Sequence, residues 1–116
     1  MRLTIAVGFD ETITSKKFPE MGEPNSDVVN LLRQLRTSGW HIIIHTCRIN
    51  GDWPEPSRSQ KEAEMVSYLI EHEVPYDTMW KKEGKPLAHV YLEDRSLNPK
   101  LLHPRTWRAL INLIAR

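Results

Sequence analysis

The chain contains 116 residues, of which 40% are hydrophobic and 27% are charged, and its formal net charge is +1. This composition is typical of one globular domain, and the near-zero charge argues against a nucleic-acid-binding surface or a charged tail. The single cysteine, Cys47, excludes an internal disulfide. The sequence has no signal-peptide pattern and no apolar stretch near the ~20 residues that span a bilayer. We therefore expect one cytoplasmic domain over residues 1–116, with neither a membrane nor a nucleic acid as partner.

The first predicted strand runs directly into a polar segment. Residues 5–7 (IAV) are apolar and partly β-branched, which predicts a buried strand. Asp10 and Thr12 follow at the end of this strand, where ligands bind in open α/β sheets. The alternative is a turn in which these two side chains form only local hydrogen bonds. Residues 15–23 show no regular period and predict a loop or short flap over the strand end.

A helix and a second strand are predicted next. Asn25 or Ser26 is a suitable N-cap, and Gly39 supplies the left-handed residue that ends the helix. Helical spacing predicts a buried face made of Val28, Leu31, Leu32 and Leu35. Residues 40–46 (WHIIIHT) contain three consecutive isoleucines, which is typical of a central parallel strand that helices cover on both faces.

The middle of the chain predicts a loop and a second helix. Residues 47–57 contain an Asn-Gly pair and two prolines, which favour a loop. Ser59 with Glu62 three residues later matches a capping box at the start of a helix. The buried face of this helix is expected to contain Val66, Leu69 and Ile70.

Two short strands and a last helix complete the prediction. Residues 77–80 and 88–92 predict strands, the second of which ends in Glu93 and Asp94. Pro104 is predicted to open the last helix. The apolar face of that helix is expected to contain Trp107, Leu110, Ile111 and Ile114.

The alternation of strands and helices predicts an α/β fold with a mostly parallel sheet. The predicted strand ends carry polar side chains, namely Asp10, Thr12, Thr46, Glu93 and Asp94. Because parallel strands bring their carboxyl ends to one edge of the sheet, we expect these side chains to lie close together. Carboxylates, a hydroxyl and a lysine suit a hard cation such as Mg²⁺ and a phosphoryl group.

The order of these residues resembles that of the haloacid dehalogenase superfamily, whose members are mostly magnesium-dependent phosphatases. That family has Asp-x-Asp-x-Thr after the first strand, Thr or Ser after the second, a Lys, and an acidic pair after a later strand. The matching residues here are residues 8–12 (GFDET), Thr46, Lys85, Glu93 and Asp94. The resemblance covers essentially the whole chain. It implies a three-layer, doubly wound, mostly parallel sheet, as a minimal core without a cap domain.

The resemblance also implies a role for each matching residue. Asp10 corresponds to the general acid/base that protonates the leaving group and activates water. Thr46, Lys85 and Thr12 correspond to the phosphate-binding groups, and Thr12 also closes the first motif. The implied Mg²⁺ ligands are Asp10, Glu93 and Asp94. The implied partner is a small phosphorylated substrate, and capless members of this family act on larger substrates or borrow a lid from a neighbouring subunit, so a homo-oligomer is compatible.

Three residues depart from the family pattern. Gly8 stands where the family has its nucleophilic Asp, so no aspartyl-phosphate can form there. Glu11 stands where a Gly usually follows the second Asp, and it is strained if the turn requires a positive φ. Glu93 stands where Asp is usual, and its extra methylene displaces a ligand oxygen by about 1 Å. Catalysis by the covalent route is therefore expected to be lost or redirected.

Other functions are weighed against this hypothesis. Receiver domains also combine Asp, Thr and Lys, but in an order that this chain does not follow. His45 and Cys47 lie two residues apart, yet His-x-Cys lacks the further ligands that zinc requires. Trp53 lies between turn residues and is a candidate for contact with a substrate. The main alternative to an enzyme is a non-catalytic module that binds phosphate or a nucleotide.

Overall fold

A computed structural model describes residues 2–16, 18–49, 53–82, 84–93 and 104–115. These residues form a small α/β fold with four parallel strands flanked by helices. In chain order the elements are β1 (Thr4–Gly8), α1 (Ser26–Thr37), β2 (His41–His45), α2 (Ser57–Glu71), β3 (Thr78–Met79), β4 (Val90–Leu92) and α3 (Pro104–Ala115). None of the described helices has the length and hydropathy required to cross a membrane.

The sheet has the strand order β3-β2-β1-β4 and every described pair is parallel. Ile5 of β1 pairs with Ile42 of β2 on one side and with Val90 of β4 on the other. Residues 5–7 and 42–44 are buried, which confirms both predicted central strands. The two central strands therefore end side by side, and they deliver the residues that follow them to one edge of the sheet.

Helix α1 begins and ends as its sequence predicts. The Asn25 side chain accepts hydrogen bonds from the backbone N–H groups of Asp27 and Val28, at 3.1 and 3.3 Å. All four residues of the predicted apolar face are buried, namely Val28, Leu31, Leu32 and Leu35. Gly39 has a φ of 92°, the left-handed conformation that follows many helix ends.

Helix α2 differs from its prediction in both its start and its buried face. It begins at Ser57, and the Ser59 hydroxyl donates to the Glu55 carboxylate, so the predicted capping box with Glu62 is wrong. The buried side chains are Met65, Tyr68 and Leu69, whereas Ile70 is 70% exposed. Tyr68 packs edge-on against Phe9, and this contact turns the helix so that Ile70 faces solvent and Val66 is half-buried.

The last elements are shorter than predicted or partly outside the described residues. Strand β3 covers residues 78–79 of the predicted 77–80, and the flanking Asp77 and Trp80 N–H groups donate to the Ile42 and Ile44 carbonyls of β2 at 2.9 and 2.8 Å. Strand β4 covers 90–92, and Asp94 lies outside the described residues. Helix α3 begins at Pro104 as predicted, with Ile111 buried and Leu110 39% exposed. The side chains of Trp107 and Ile114 lie outside the described part of the chain.

Candidate functional site

A cavity of about 190 Å³ opens at the carboxyl ends of β1 and β2. Four of the residues singled out from the sequence line it, namely Gly8, Asp10, Thr46 and Glu93. Gly8 ends β1, Thr46 follows β2, and Glu93 follows β4. The parallel pairing of these three strands therefore brings together residues that are far apart in the sequence.

The segment after β1 is a wide turn over residues Phe9–Ile13. Its backbone leaves the helical region at Asp10 and enters the left-handed region at Glu11, where φ is 57° and ψ is 14°. The turn is closed by the Thr14 N–H, which donates to the Phe9 carbonyl at 3.0 Å. The turn thus requires a positive φ where this chain carries glutamate, at a cost of about 1 kcal/mol relative to glycine.

The Asp10 carboxylate is held by an arginine that the sequence did not single out. Arg48 donates to Asp10 Oδ1 from Nε at 3.0 Å and from Nη2 at 2.7 Å. The Arg48 side chain is 2% exposed and that of Asp10 19% exposed. Thr46 donates its hydroxyl to Asp10 Oδ2 at 3.3 Å and accepts from the Arg48 backbone N–H at 3.1 Å. A phosphate at Thr46 therefore has to replace the hydrogen bond from Thr46 to Asp10.

Arg48 also fixes the flap, defined here as residues 15–23. Its guanidinium donates to the carbonyl oxygens of Pro19 at 3.2 Å and Glu20 at 2.7 Å. The guanidinium carbon lies 4.9 Å from the Phe18 ring centroid and 5.3 Å from that of Phe9. One buried cation thus joins the flap to Asp10, which makes Arg48 a positioning residue for the candidate site.

A second buried side chain fixes the far end of the flap. The Tyr68 hydroxyl donates to the Gly22 carbonyl at 2.8 Å, and the Gly22 N–H donates to Thr14 Oγ1 at 2.7 Å. The Ser15 N–H closes the flap on the Glu23 carbonyl at 3.1 Å. These contacts hold the far end of the flap against Thr14 and helix α2.

The contact between Tyr68 and the flap predicts a pH dependence. Burial raises the pKa of Tyr68 above its ordinary value of 10.0. The unfolded chain then releases this proton more readily than the folded protein, so the stability contributed by Tyr68 is present below about pH 10 and is lost as the pH rises further. The unfolding free energy of the parent protein, measured by urea denaturation, is expected to fall between about pH 9 and about pH 11. In Tyr68→Phe this fall should be smaller. Tyr76→Phe, outside the flap contacts, is the control, and an equal fall in all three proteins would contradict the prediction.

The Glu93 carboxylate is the second charged centre of the cavity. It is paired with the Lys85 ammonium, and His45 Nε2 lies 3.1 Å from Glu93 Oε2. The Glu93 side chain is 6% exposed, whereas that of Lys85 is 56% exposed. The predicted phosphate-binding lysine thus contacts the predicted acidic residue, and Lys85 meets the cavity lining through Glu93. His45 faces Glu93, whereas Cys47 is exposed.

The Asp10 and Glu93 carboxylates, in the arrangement observed, are poorly placed to bind Mg²⁺. Asp10 faces Arg48, Glu93 faces Lys85, and Gly8 contributes no oxygen. Within the ranges that the structure describes, no group of three or more His, Cys, Asp or Glu side chains could hold a metal ion. Mg²⁺ would therefore have to compete with these cations for the carboxylates.

Gly8 and Thr12 lie in contact at the base of the cavity. A Cβ placed on Gly8 would lie 3.3 Å from Glu93 Cβ and 3.4 Å from Thr12 Oγ1. The Thr12 side chain is 1% exposed, and its hydroxyl has no hydrogen-bond partner among the described residues. Thr12 is thus placed beneath Gly8 and does not line the cavity itself.

Trp53 packs on the flap. Its Nε1 donates to the Cys47 carbonyl at 2.7 Å, and its ring centroid lies 5.5 Å from that of Phe18. The Lys61 ammonium lies 4.3 Å from the Trp53 ring centroid. The side chain is half-buried by these contacts, which account for its position without a ligand.

Comparisons with known proteins support the fold. The chain is similar to a solved structure described as the conserved protein coded by a locus from Bacteroides thetaiotaomicron, with a TM-score of 0.63 and 22% sequence identity. The similarity covers 84% of this chain and 79% of that chain. No family model and no curated protein matches the chain. The structural similarity therefore supports a small α/β fold compatible with a Rossmann-like arrangement, and it carries no information on activity.

Proposed function

We propose that this chain is a haloacid dehalogenase-like domain of the phosphohydrolase type that binds a small phosphorylated molecule in the 190 Å³ cavity. The observation that supports the proposal is the convergence of Asp10, Thr46 and Glu93 on one cavity, with Lys85 paired to Glu93. Three strand ends supply these groups in the order of the family's motifs. Hydroxyl and ammonium donors of this kind neutralise and orient a phosphoryl group.

The same proposal includes the finer architecture and the setting of the domain. We propose a three-layer, doubly wound core without a cap domain. Mg²⁺ is the proposed cofactor, with an affinity lowered by the missing carboxylate at Gly8 and by the cations that face Asp10 and Glu93. Asp94 remains a proposed ligand from outside the described residues. A cytoplasmic location, and assembly with a second copy of the chain, belong to the same proposal.

The chemistry available to this site differs from the covalent route of the family. Glycine at residue 8 offers no nucleophile, so hydrolysis requires direct attack of water on the phosphorus atom. Asp10 is the proposed base for that water. Arg48 donates to Asp10 Oδ1 from Nε and Nη2, whereas Asp10 Oδ2 has only two longer contacts, both of 3.3 Å, with Arg48 Nε and the Thr46 hydroxyl. Oδ2 is the proposed acceptor of the water proton.

A second candidate function is a non-catalytic phosphate- or nucleotide-binding module. Two observations favour it: Gly8 removes the nucleophile, and the pairing of Lys85 with Glu93 opposes metal binding at that carboxylate. Thr46, Lys85 and the backbone N–H groups near Asp10 would still supply donors to an anion.

Calorimetric titration with inorganic phosphate, a nucleoside monophosphate and a sugar phosphate tests both candidates, in Mg²⁺ and in chelator. We expect binding in the millimolar range or tighter, and Lys85→Met is expected to weaken it about tenfold through loss of a charged hydrogen bond. Lys82→Met is the matched control, because this exposed lysine lies over the Trp80 ring away from the cavity lining. Phosphatase assays on the parent protein then separate the candidates.

Slow turnover without a phosphoenzyme supports the hydrolase proposal, and binding without turnover supports the binding module. Absence of any millimolar binding, with or without Mg²⁺, would contradict both.

A further inference from the structure

A glutamate at the cavity adopts a backbone conformation that favours glycine. Glu11 lines the cavity and has a φ of 57° and a ψ of 14°, in the left-handed region. A side chain in this region is strained, and strained residues concentrate at functional sites. Glycine at residue 11 would relieve the strain, but it would also remove a carboxylate from the cavity. The chain thus carries this carboxylate at a cost in conformational energy.

A second glutamate, Glu73, has the same backbone conformation away from the cavity. Its φ is 54°, and its backbone N–H donates to the Ile70 carbonyl at 3.1 Å just after the end of α2. Left-handed residues commonly end helices in this way. Glu73 is not among the described residues that line the cavity. The two glutamates therefore share the strain and differ in their access to the cavity, which makes Glu73 an internal control for Glu11.

The polar groups that Glu11 can offer to a ligand are acceptors. Its backbone N–H already donates to the Lys16 carbonyl of the flap at 3.2 Å, so the carbonyl and the carboxylate remain. The residue is half-buried, and a charge that is partly shielded from water interacts more strongly than one on an open surface. A ligand group that meets Glu11 must therefore be a hydrogen-bond donor.

The charges of the lining favour a donor that is also a cation. The described residues that line the cavity include three carboxylates and neither a lysine nor an arginine. Asp10 is paired with Arg48, and Glu93 is paired with Lys85. Glu11 adds the third carboxylate, which attracts a positive group and opposes a negative one. An ammonium group matches both the charge and the acceptors of residue 11.

We propose that Glu11 selects phosphate monoesters whose alcohol part carries an ammonium group. This inference rests on the proposed function, and it names the class of phosphorylated molecule that the site takes. Within the one cavity, Thr46 serves the phosphate group and the Glu11 carboxylate accepts from the ammonium. Glu11 is a specificity-determining residue in this arrangement and takes no part in the step that breaks the ester bond.

Calorimetric titration with two ligands of the same shape tests the inference. Aminoethyl phosphate and hydroxyethyl phosphate differ only in an ammonium group and a hydroxyl group. We expect the parent protein to bind aminoethyl phosphate about tenfold more tightly, because a charge-assisted hydrogen bond is the stronger one. Glu11→Gln keeps the size and the strained backbone without the charge, and it should bind both esters with similar affinity. Glu73→Gln is the matched control and should keep the tenfold preference.

Glycine variants separate the carboxylate from the strain. Glu11→Gly and Glu73→Gly both relieve a positive φ, so each should raise the melting temperature of the free protein by about 3 °C. Only Glu11→Gly should lose the preference for aminoethyl phosphate. A purely structural role for Glu11 would make the two glycine variants alike in ligand binding as well as in stability.

Equal affinity of the parent protein for the two esters would overturn the inference and leave the proposed function intact, because the phosphate group would still be bound. A tenfold preference that persists in Glu11→Gln would also overturn it, because the charge of residue 11 would then not recognise the ammonium. Failure of the parent protein to bind either ester or inorganic phosphate would overturn the proposed function and this inference together.

Discussion

Replacing Arg48 by methionine is expected to lower the unfolding free energy by about 3 kcal/mol, because it leaves a carboxylate without its buried partner. Methionine keeps an unbranched apolar stem, so the loss reports the guanidinium, including its contacts with the Phe9 and Phe18 rings. Asp10 is 19% exposed and loses its bidentate donor, and the carbonyl oxygens of Pro19 and Glu20 lose theirs. The melting temperature should fall by roughly 10 °C.

Urea denaturation of three proteins tests this expectation. Arg58→Met is the matched control, because Arg58 forms an ion pair with Glu55 at 3.0 Å on the surface, where solvent screens the interaction and little stability is at stake. The double variant Arg48→Met with Asp10→Asn should recover part of the loss, since it removes the uncompensated charge. Equal stability of Arg48→Met and Arg58→Met would show that the buried pair does not hold the flap to Asp10.

The elements that the sequence predicts well are those set by local patterns. The three isoleucines of β2 are all buried in a central strand, and the pattern that predicts this strand is visible in seven residues. Asn25 caps α1 through its own side chain, and Gly39 ends it with a positive φ. In each case neighbouring residues alone determine the geometry, so no knowledge of the tertiary structure is required.

Helix α2 shows where local patterns fail. Val66, Leu69 and Ile70 form an acceptable apolar stripe, but so do Met65, Tyr68 and Leu69, and the two stripes differ by a small rotation. The choice between them depends on what the helix meets in space. Phe9, which is remote in the sequence, contacts Tyr68 and selects the second stripe.

The candidate site also contains residues that the sequence predicts and residues that it does not. Parallel pairing is enough to predict that Asp10, Thr46 and Glu93 approach one edge of the sheet, because each follows a strand. The partners of these residues could not be predicted in the same way. Arg48 lies 38 residues from Asp10, and it looks in the sequence like any charged residue of a loop. Its burial is a consequence of tertiary contacts alone.

The second large effect is expected from a substitution at Gly8, the position of the missing nucleophile. Gly8→Asp is expected to lower the unfolding free energy by about 2 kcal/mol in chelator, because the new Cβ would lie 3.3 Å from Glu93 Cβ and overpack the base of the cavity. The new carboxylate would also approach that of Glu93, which is 6% exposed, and like charges at short range repel. Mg²⁺ should reverse much of the loss, because it binds the folded Gly8→Asp protein in preference to the unfolded chain.

Gly8→Asn separates the two causes, because asparagine has nearly the shape of aspartate without its charge. Both variants carry the same Cβ and offer Thr12 an oxygen acceptor, so these contributions cancel in the comparison. Melting curves in chelator should place Gly8→Asn between the parent and Gly8→Asp. Added Mg²⁺ should raise the melting temperature of Gly8→Asp well above any change in the other two. If Mg²⁺ shifts all three proteins equally, residue 8 does not complete a metal site, and the assignment of this strand end to the first motif of the family is wrong.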